Sequence, residues 1–223
     1  MKKHLFLLLI AVPMIFASCG TSKFFSGKAS DISSIALVSP YSYLTDAVGD
    51  FQTDYVEAPS QFNQQLLSEA VGNLGLPISK SVDINYKKQD ENVSAWMRRL
   101  ANVGAAGAKN LEVPSQIVDA VKKSGCPYGL LITDVGYVKN AAQYKTETTI
   151  EAGMKIADLV LNNEVDLSKD TEACMSGVFS MLFDSQTGKP VWFGALPRDY
   201  KNNPINRDSV KEQMVKLFKD FLK

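Results

Sequence analysis

Between Cys174 and Leu196 two apolar runs flank a polar break. In the first, Met175, Gly177, Phe179, Met181 and Phe183 share one parity while Ser176, Val178, Ser180 and Leu182 share the other, the alternation of a strand with one apolar and one mixed face. The second run, Val191 to Leu196, is apolar on both parities, as in a strand covered on both sides. Asp184-Ser185-Gln186-Thr187-Gly188 joins them into a hairpin. Asp184 can accept from a backbone N–H two residues on, Gly188 can take the positive φ that closes the turn, and Pro190 stands at a strand start where a missing donor is tolerated.

Upstream, Ile35–Val38 is apolar on both parities and stops before Pro40, which predicts a short interior strand, followed by a long connection from Tyr41 through Glu57. Pro59 and Ser60 open a helix on which Phe62, Leu66, Ala70 and Leu74 recur at helical spacing, and Gly75 closes it. Ile78, Val82 and Ile84 predict a half-exposed strand with Lys80 as the exception on its face. Asn92 caps a helix carrying Val93, Trp96, Leu100 and Val103, with Gly104 after it. Pro114 and Ser115 begin another with Ile117, Val118 and Val121 inward, Lys122 and Lys123 in the last turn and Gly125 as its stop. Tyr128–Val138 is a central strand. From Lys139 to Glu172 two patterns compete: Ile150, Met154, Ala157 and Leu161 form a helical stripe, while Thr146–Ile150 suits an extended segment. Pro197–Pro204 form a polar link, and Asn206 or Asp208 caps a last helix that turns Val210, Met214, Leu217, Phe218 and Phe221 to the core. This succession predicts an α/β (α+β mixed) fold: one three-layer-like domain over residues 32–223, a mixed sheet of about five strands flanked by about four helices.

The amino terminus reads differently. Lys2 and Lys3, an apolar run from Leu5 to Phe16, and Ala17-Ser18-Cys19 make an export signal, too short for a permanent span of about 20 residues. Its end resembles a bacterial lipobox, with Phe16 where that pattern has Leu, Val or Ile. The resemblance implies removal of residues 1–18, diacylglycerol on the Cys19 sulfur and acylation of the new amino terminus; several acyl chains together give stable anchoring. Gly20 in place of Asp implies the outer membrane, and the lack of an acidic run after Cys19 favours a periplasm-facing protein. Residues 19–31 are expected to be a lipidated tether.

Removing residues 1–18 leaves 205 of the 223 residues, with 22 basic against 24 acidic side chains, too little positive charge for a nucleic-acid binder. The only histidine is His4, in the signal, which excludes Ser-His-Asp and Cys-His catalysis and the usual zinc and haem ligands from the mature chain. No catalytic residue, metal site or cofactor is expected. Glu164, Asp166, Asp170 and Glu172 are crowded enough for a calcium site or an acid/base pair, but a solvated loop is the favoured reading. Cys126 and Cys174 lack redox spacing; two buried thiols are favoured over a disulfide between them, which needs Cα atoms within about 7 Å. Gly104–Lys109 lacks the spacing and the Ser or Thr of a phosphate loop. Trp96 and Trp192 read as core.

The early strand Ile35–Val38, the passage through Gly125 to Leu130-Leu131-Ile132, and above all Phe183-Asp184-Ser185-Gln186-Thr187-Gly188-Lys189 followed by Trp192 and Gly194 resemble the periplasmic α/β lipoprotein domain shared by the curli-secretion lipoprotein CsgG, the penicillin-binding-protein activator LpoB and the amino-terminal domain of TolB. That resemblance implies a mixed sheet flanked by helices, no cofactor, and a role in envelope assembly, secretion or partner activation through protein contacts. The expectation is therefore a non-catalytic outer-membrane lipoprotein with an envelope protein partner, self-association remaining open. The alternative is a small-molecule or glycan binding module, suggested by Tyr41, Tyr43 and Tyr55 after a strand end.

Overall fold

Residues 21–48, 51–86, 91–139 and 174–222 are described by the structure, a computed structural model. The hairpin is its centre. Strands β7 (Cys174–Asp184) and β8 (Pro190–Asp199) pair antiparallel, and β7 pairs on its other side with the twelve-residue β6 (Tyr128–Lys139) along its full length. In the turn, Asp184 Oδ1 accepts from the N–H groups of Gln186 and Thr187 at 2.9 and 2.8 Å and from Thr187 Oγ1 at 3.0 Å, while Gly188 adopts φ 68°. The side chain thus satisfies donors that the reversal would leave without partners, and glycine takes the left-handed conformation without steric cost.

The far side of β6 is shared by two strands in line. β2 (Ile35–Val38) runs parallel to Tyr128–Leu130, and after a break at Ser39 and Pro40, β3 (Tyr41–Val48) runs parallel to Thr133–Lys139. β4 (Phe51–Tyr55) pairs antiparallel with β3, and β5 (Ile78–Val82) parallel with β2. At the opposite edge β1 (Thr21–Phe24) pairs antiparallel with β8. The sheet therefore has eight strands among the described residues, more than the number expected from the sequence. Two segments account for the difference. The connection expected from Tyr41 to Glu57 is mostly the β3–β4 pair, hidden because Ser42, Thr45 and Asp46 interrupt its apolar alternation. The tether expected before Ile32 contributes β1, in which Trp192 Nε1 donates to Ser22 Oγ at 2.8 Å and Phe24 packs on Trp192 and Phe221.

Helices cover both faces, giving a three-layer mixed α/β domain. α1 (Glu57–Gly72) and α5 (Arg207–Phe218) cover one face, where Phe62, Leu66, Leu67 and Val71 and then Val210, Met214, Leu217 and Phe218 meet Ile35, Leu130, Ile132, Leu182 and Trp192. α2 (Glu91–Leu100), the one-turn α3 (Ala105–Ala108) and α4 (Ser115–Ser124) cover the other, with Val93, Met97, Leu100, Ile117 and Val121 against Leu131, Val135, Met181, Phe183 and Phe193. The two-sided burial expected of β8 holds, and β7, expected to have one mixed face, is buried on both, its serines because they are bonded: Ser180 Oγ donates to Leu131 O at 2.8 Å. Asn206, not Asp208, caps α5, its side chain accepting from Ser209 N at 2.9 Å. Asn92 lies within α2 instead of capping it, and Gly104 is the residue before α3. Trp96 is only partly buried, its Nε1 donating to Glu112 O at 2.8 Å.

Candidate functional site

β3, β6 and β8 finish, and β7 begins, at one end of the sheet, and a cleft opens there under α2. Its floor is a single transverse row on the α2 face. Tyr43 stands opposite Val135, and Val135 opposite Gly177. Gly177 leaves the row open: a Cβ there would lie 2.7 Å from Arg198 N and 3.0 Å from its Cγ, so the stem of Arg198 occupies the space a side chain would need. From above, α2 lowers Arg98 onto the Tyr43 ring, its guanidinium carbon 5.0 Å from the centroid. Thr45, Asn102 and Gly136 complete the lining of a space of roughly 110 Å³.

The three tyrosines suggested by the sequence do converge here, but on strands instead of a loop. Tyr43 and Tyr55 stack at 5.3 Å, and Tyr41 is buried edge-on against Tyr86 at 5.0 Å. Burial pushes the Tyr41 hydroxyl above its ordinary range, with the charge and hydrogen bond of Arg98 pulling the other way, so it is a neutral phenol that helps fix the arginine. Sequence reasoning missed Arg98 and Arg198 entirely. One lies in a helix's last turn and the other in what read as a polar link, and nothing local marks them as neighbours.

On the opposite face, beneath α1 and α5, a buried polar seam runs beside the cleft end. Asn63 Nδ2 donates to Asp134 Oδ2 at 2.7 Å and to Ser42 Oγ at 2.9 Å, and Ser176 Oγ donates to Gln213 Oε1 at 3.4 Å. Asp134 has no solvent exposure, and its Oδ1 and the Oδ1 of Asn63 have no partner. Burial pushes the Asp134 carboxyl up to about 7, outweighing the Asn63 hydrogen bond and the Arg198 charge, which favour the ionised form. An aspartate in the middle of the apolar run Leu130–Val138 is the sequence signal that marks this seam.

The remaining expectations fall out simply. Cys126 and Cys174 are both buried and neither is in a disulfide, and they sit at opposite ends of β6: one lies just before its first residue and the other pairs with Val138, about 35–40 Å away at strand rise. No disulfide can join them. Cys126 Sγ lies 3.3 Å from Ser79 Oγ and 3.7 Å from Ser34 Oγ; burial alone would raise its pKa, but the hydrogen bonds from Ser79, Ser124 and Ser34 and the charge of Lys80 together lower it. A reductant is expected to leave the melting temperature unchanged; a fall on adding dithiothreitol would overturn the two-thiol assignment. Asp184 is consumed by its turn, and among the described residues no group of acids or cysteines could hold a metal. Glu164, Asp166, Asp170 and Glu172, and the competing patterns of Thr146–Leu161, lie outside the described residues. A wider groove of roughly 640 Å³ lies at the other end of the sheet, between Lys109–Val113, the start of α4 and the β7–β8 turn.

Neither a protein-family model nor a curated protein matches the sequence. Among solved structures the chain is similar to the PelC dodecamer from Paraburkholderia phytofirmans, at 11% identity over 91% of this chain and 97% of that one, with a TM-score of 0.41. A second crystal form of that dodecamer, carrying a single leucine-to-methionine substitution, gives 10%, 90%, 98% and 0.41 in the same order. The LpoB C-terminal domain from Salmonella enterica is 14% identical over 74% of this chain and 81% of its own, with a TM-score of 0.29. Likeness at this level establishes neither family nor activity.

Proposed function

We propose that this chain is a non-catalytic bacterial lipoprotein, anchored in the outer membrane through Cys19, facing the periplasm, and acting through protein contacts in envelope biogenesis or secretion. The observation that carries this reading is the junction at the amino terminus. A charged, then apolar, then small-residue segment ends in Ala17-Ser18-Cys19, and two residues on, Thr21–Phe24 pairs with β8. A mature chain without histidine removes the commonest general base, and among the described residues the carboxylate with the perturbed environment, Asp134, is sealed from solvent.

Cys19→Ser is expected to move the protein from the membrane to the soluble fraction of lysed cells; undiminished membrane retention would remove the anchor from this reading. Cross-linking intact envelopes that carry a chain tagged at Lys223 is expected to capture one dominant envelope protein, lost with Cys19→Ser. Cross-links only between copies of this chain would replace a separate partner with self-assembly. Turnover of a cell-wall or polysaccharide substrate by the purified chain would overturn the non-catalytic assignment.

One observation favours the second reading, a small-molecule or glycan binding module: Tyr55, 40% exposed, extends the aromatic stack of Tyr43 beside the two-arginine cleft. Stacked aromatics beside donors are what sugar and small-ligand sites use. A thermal-shift screen over glycans that returns no stabilising ligand would set this reading aside.

A further inference from the structure

We propose that the cleft between Arg98 and Arg198 binds the phosphoryl group of a membrane-lipid headgroup, a role that rests on the anchor at Cys19. Its charge argues for an anion. Two guanidinium groups line one small space, and among the described residues neither has an ion pair; the pair found there joins Arg207 to Glu69, between α5 and α1. Like charges held together repel, and an arginine fork matches phosphate oxygens with two parallel donors. Other groups in the lining are already engaged, since Asn102 Nδ2 donates to Arg98 O at 2.9 Å and Thr45 Oγ1 to Gly136 O at 3.4 Å. The two guanidinium groups carry the charge of the cleft, and with five N–H donors each they keep donors for a ligand beyond the bond Arg98 makes to Tyr41.

Size and position narrow the class. A space of roughly 110 Å³ holds about three or four waters, well below the 300 Å³ or more of pockets that enclose drug-sized molecules, so it accepts one phosphoryl head and leaves the rest of its carrier outside. The register fixes where that carrier lies. β1 begins with Thr21 beside Ala195, three residues before Arg198 on β8. Chain connectivity keeps Cys19 within about 7 Å of Thr21. Cys19 is therefore tethered beside the strand that carries Arg198, and the membrane that holds the acyl chains presents its headgroups on that side of the domain.

The test uses the full lipidated chain purified in a neutral detergent and read by native mass spectrometry against equal concentrations of phosphatidylglycerol, diacylglycerol and inorganic phosphate. Retention of one phosphatidylglycerol, with no diacylglycerol, is expected. R98Q/R198Q is expected to cut that occupancy by about tenfold or more. K122A/K123A removes the same charge from the end of α4, at the other end of the sheet, and is expected to leave occupancy unchanged. Because Arg98 packs on Tyr43, R198Q alone is the second variant; Arg198 is exposed, and circular dichroism is expected to match wild type. Undiminished retention in R98Q/R198Q, an equal loss in K122A/K123A, or retention of inorganic phosphate without lipid would each overturn the site. The mass of the chain in the same spectrum reports whether Cys19 carries lipid, so failure of the anchor is read separately from failure of the cleft.

Discussion

Trp192→Ala is expected to destabilise the domain by about 3–5 kcal/mol, the range for emptying a large aromatic site in a packed core. Trp192 has no solvent exposure. Its ring stacks on Phe218 at 5.2 Å, meets Phe221 edge-on at 5.3 Å and leans on Phe24 at 6.4 Å, so it joins β8 to α5 and to β1. Its edge fills the space above Gly194, where a Cβ would stand 2.5 Å from the ring. The indole N–H is lost with the ring, leaving Ser22 Oγ without its donor. Urea unfolding of the two chains at one pH measures the difference. A loss below about 1 kcal/mol, the typical effect of a point substitution, would show that the aromatic cluster is not the keystone of that face. Trp192→Phe keeps most of the apolar volume and loses the Nε1 bond, so it is expected to fall between the two, and hydrogen exchange should then rise first in Thr21–Phe24.

The second large effect is a dependence on pH. Asp134 has a folded pKa of about 7, against about 3.9 in an unfolded chain. Below about pH 4 both states carry the proton and the group contributes its full share of stability. Between about pH 4 and 7 the unfolded chain has released the proton and the folded chain has kept it, so stability falls by up to about 1.4 kcal/mol per pH unit, several kcal/mol in all. Above that window the loss is complete and the slope vanishes. Asp134→Asn does not titrate, retains an acceptor for Asn63 Nδ2, and replaces an unpartnered acceptor with a donor. The variant is therefore expected to be the more stable chain at pH 8 by a few kcal/mol and to show a flatter profile from about pH 4.5 to 7.5. Other carboxylates contribute alike to both chains, so the difference between the two melting curves isolates this group. Equal slopes would mean that Asp134 is ionised in the fold.

What the sequence disclosed follows the range of the interactions involved. The β7–β8 turn is written in adjacent residues, because Asp184 bonds to the N–H groups two and three places on and Gly188 takes its φ locally. The faces of α4 and α5 were legible for the same reason, since helical spacing is a short-range code. β3 was not. Its partner is β6, about ninety residues on, and Ser42 is polar because it occupies the interior of a seam built from other segments, while Asp46 beyond it is buried as well. β1 is four residues long, and its place beside β8 depends on a tryptophan at the other end of the chain. The cleft was illegible as a site because Arg98 and Arg198 meet only through the order β3-β6-β7-β8 and through a glycine whose importance lies in what crosses it.

That same edge strand sets an order of events. Ser22 and Trp192 are 170 residues apart in the chain, so β1 has no strand to join until nearly all of the protein exists. Closing so long a loop is costly before the hairpin offers its edge, and rapid once it does. The first segment made is thus the last to be tied down. With Cys19 as the proposed anchor, docking of β1 is the step that draws the finished domain up toward the membrane.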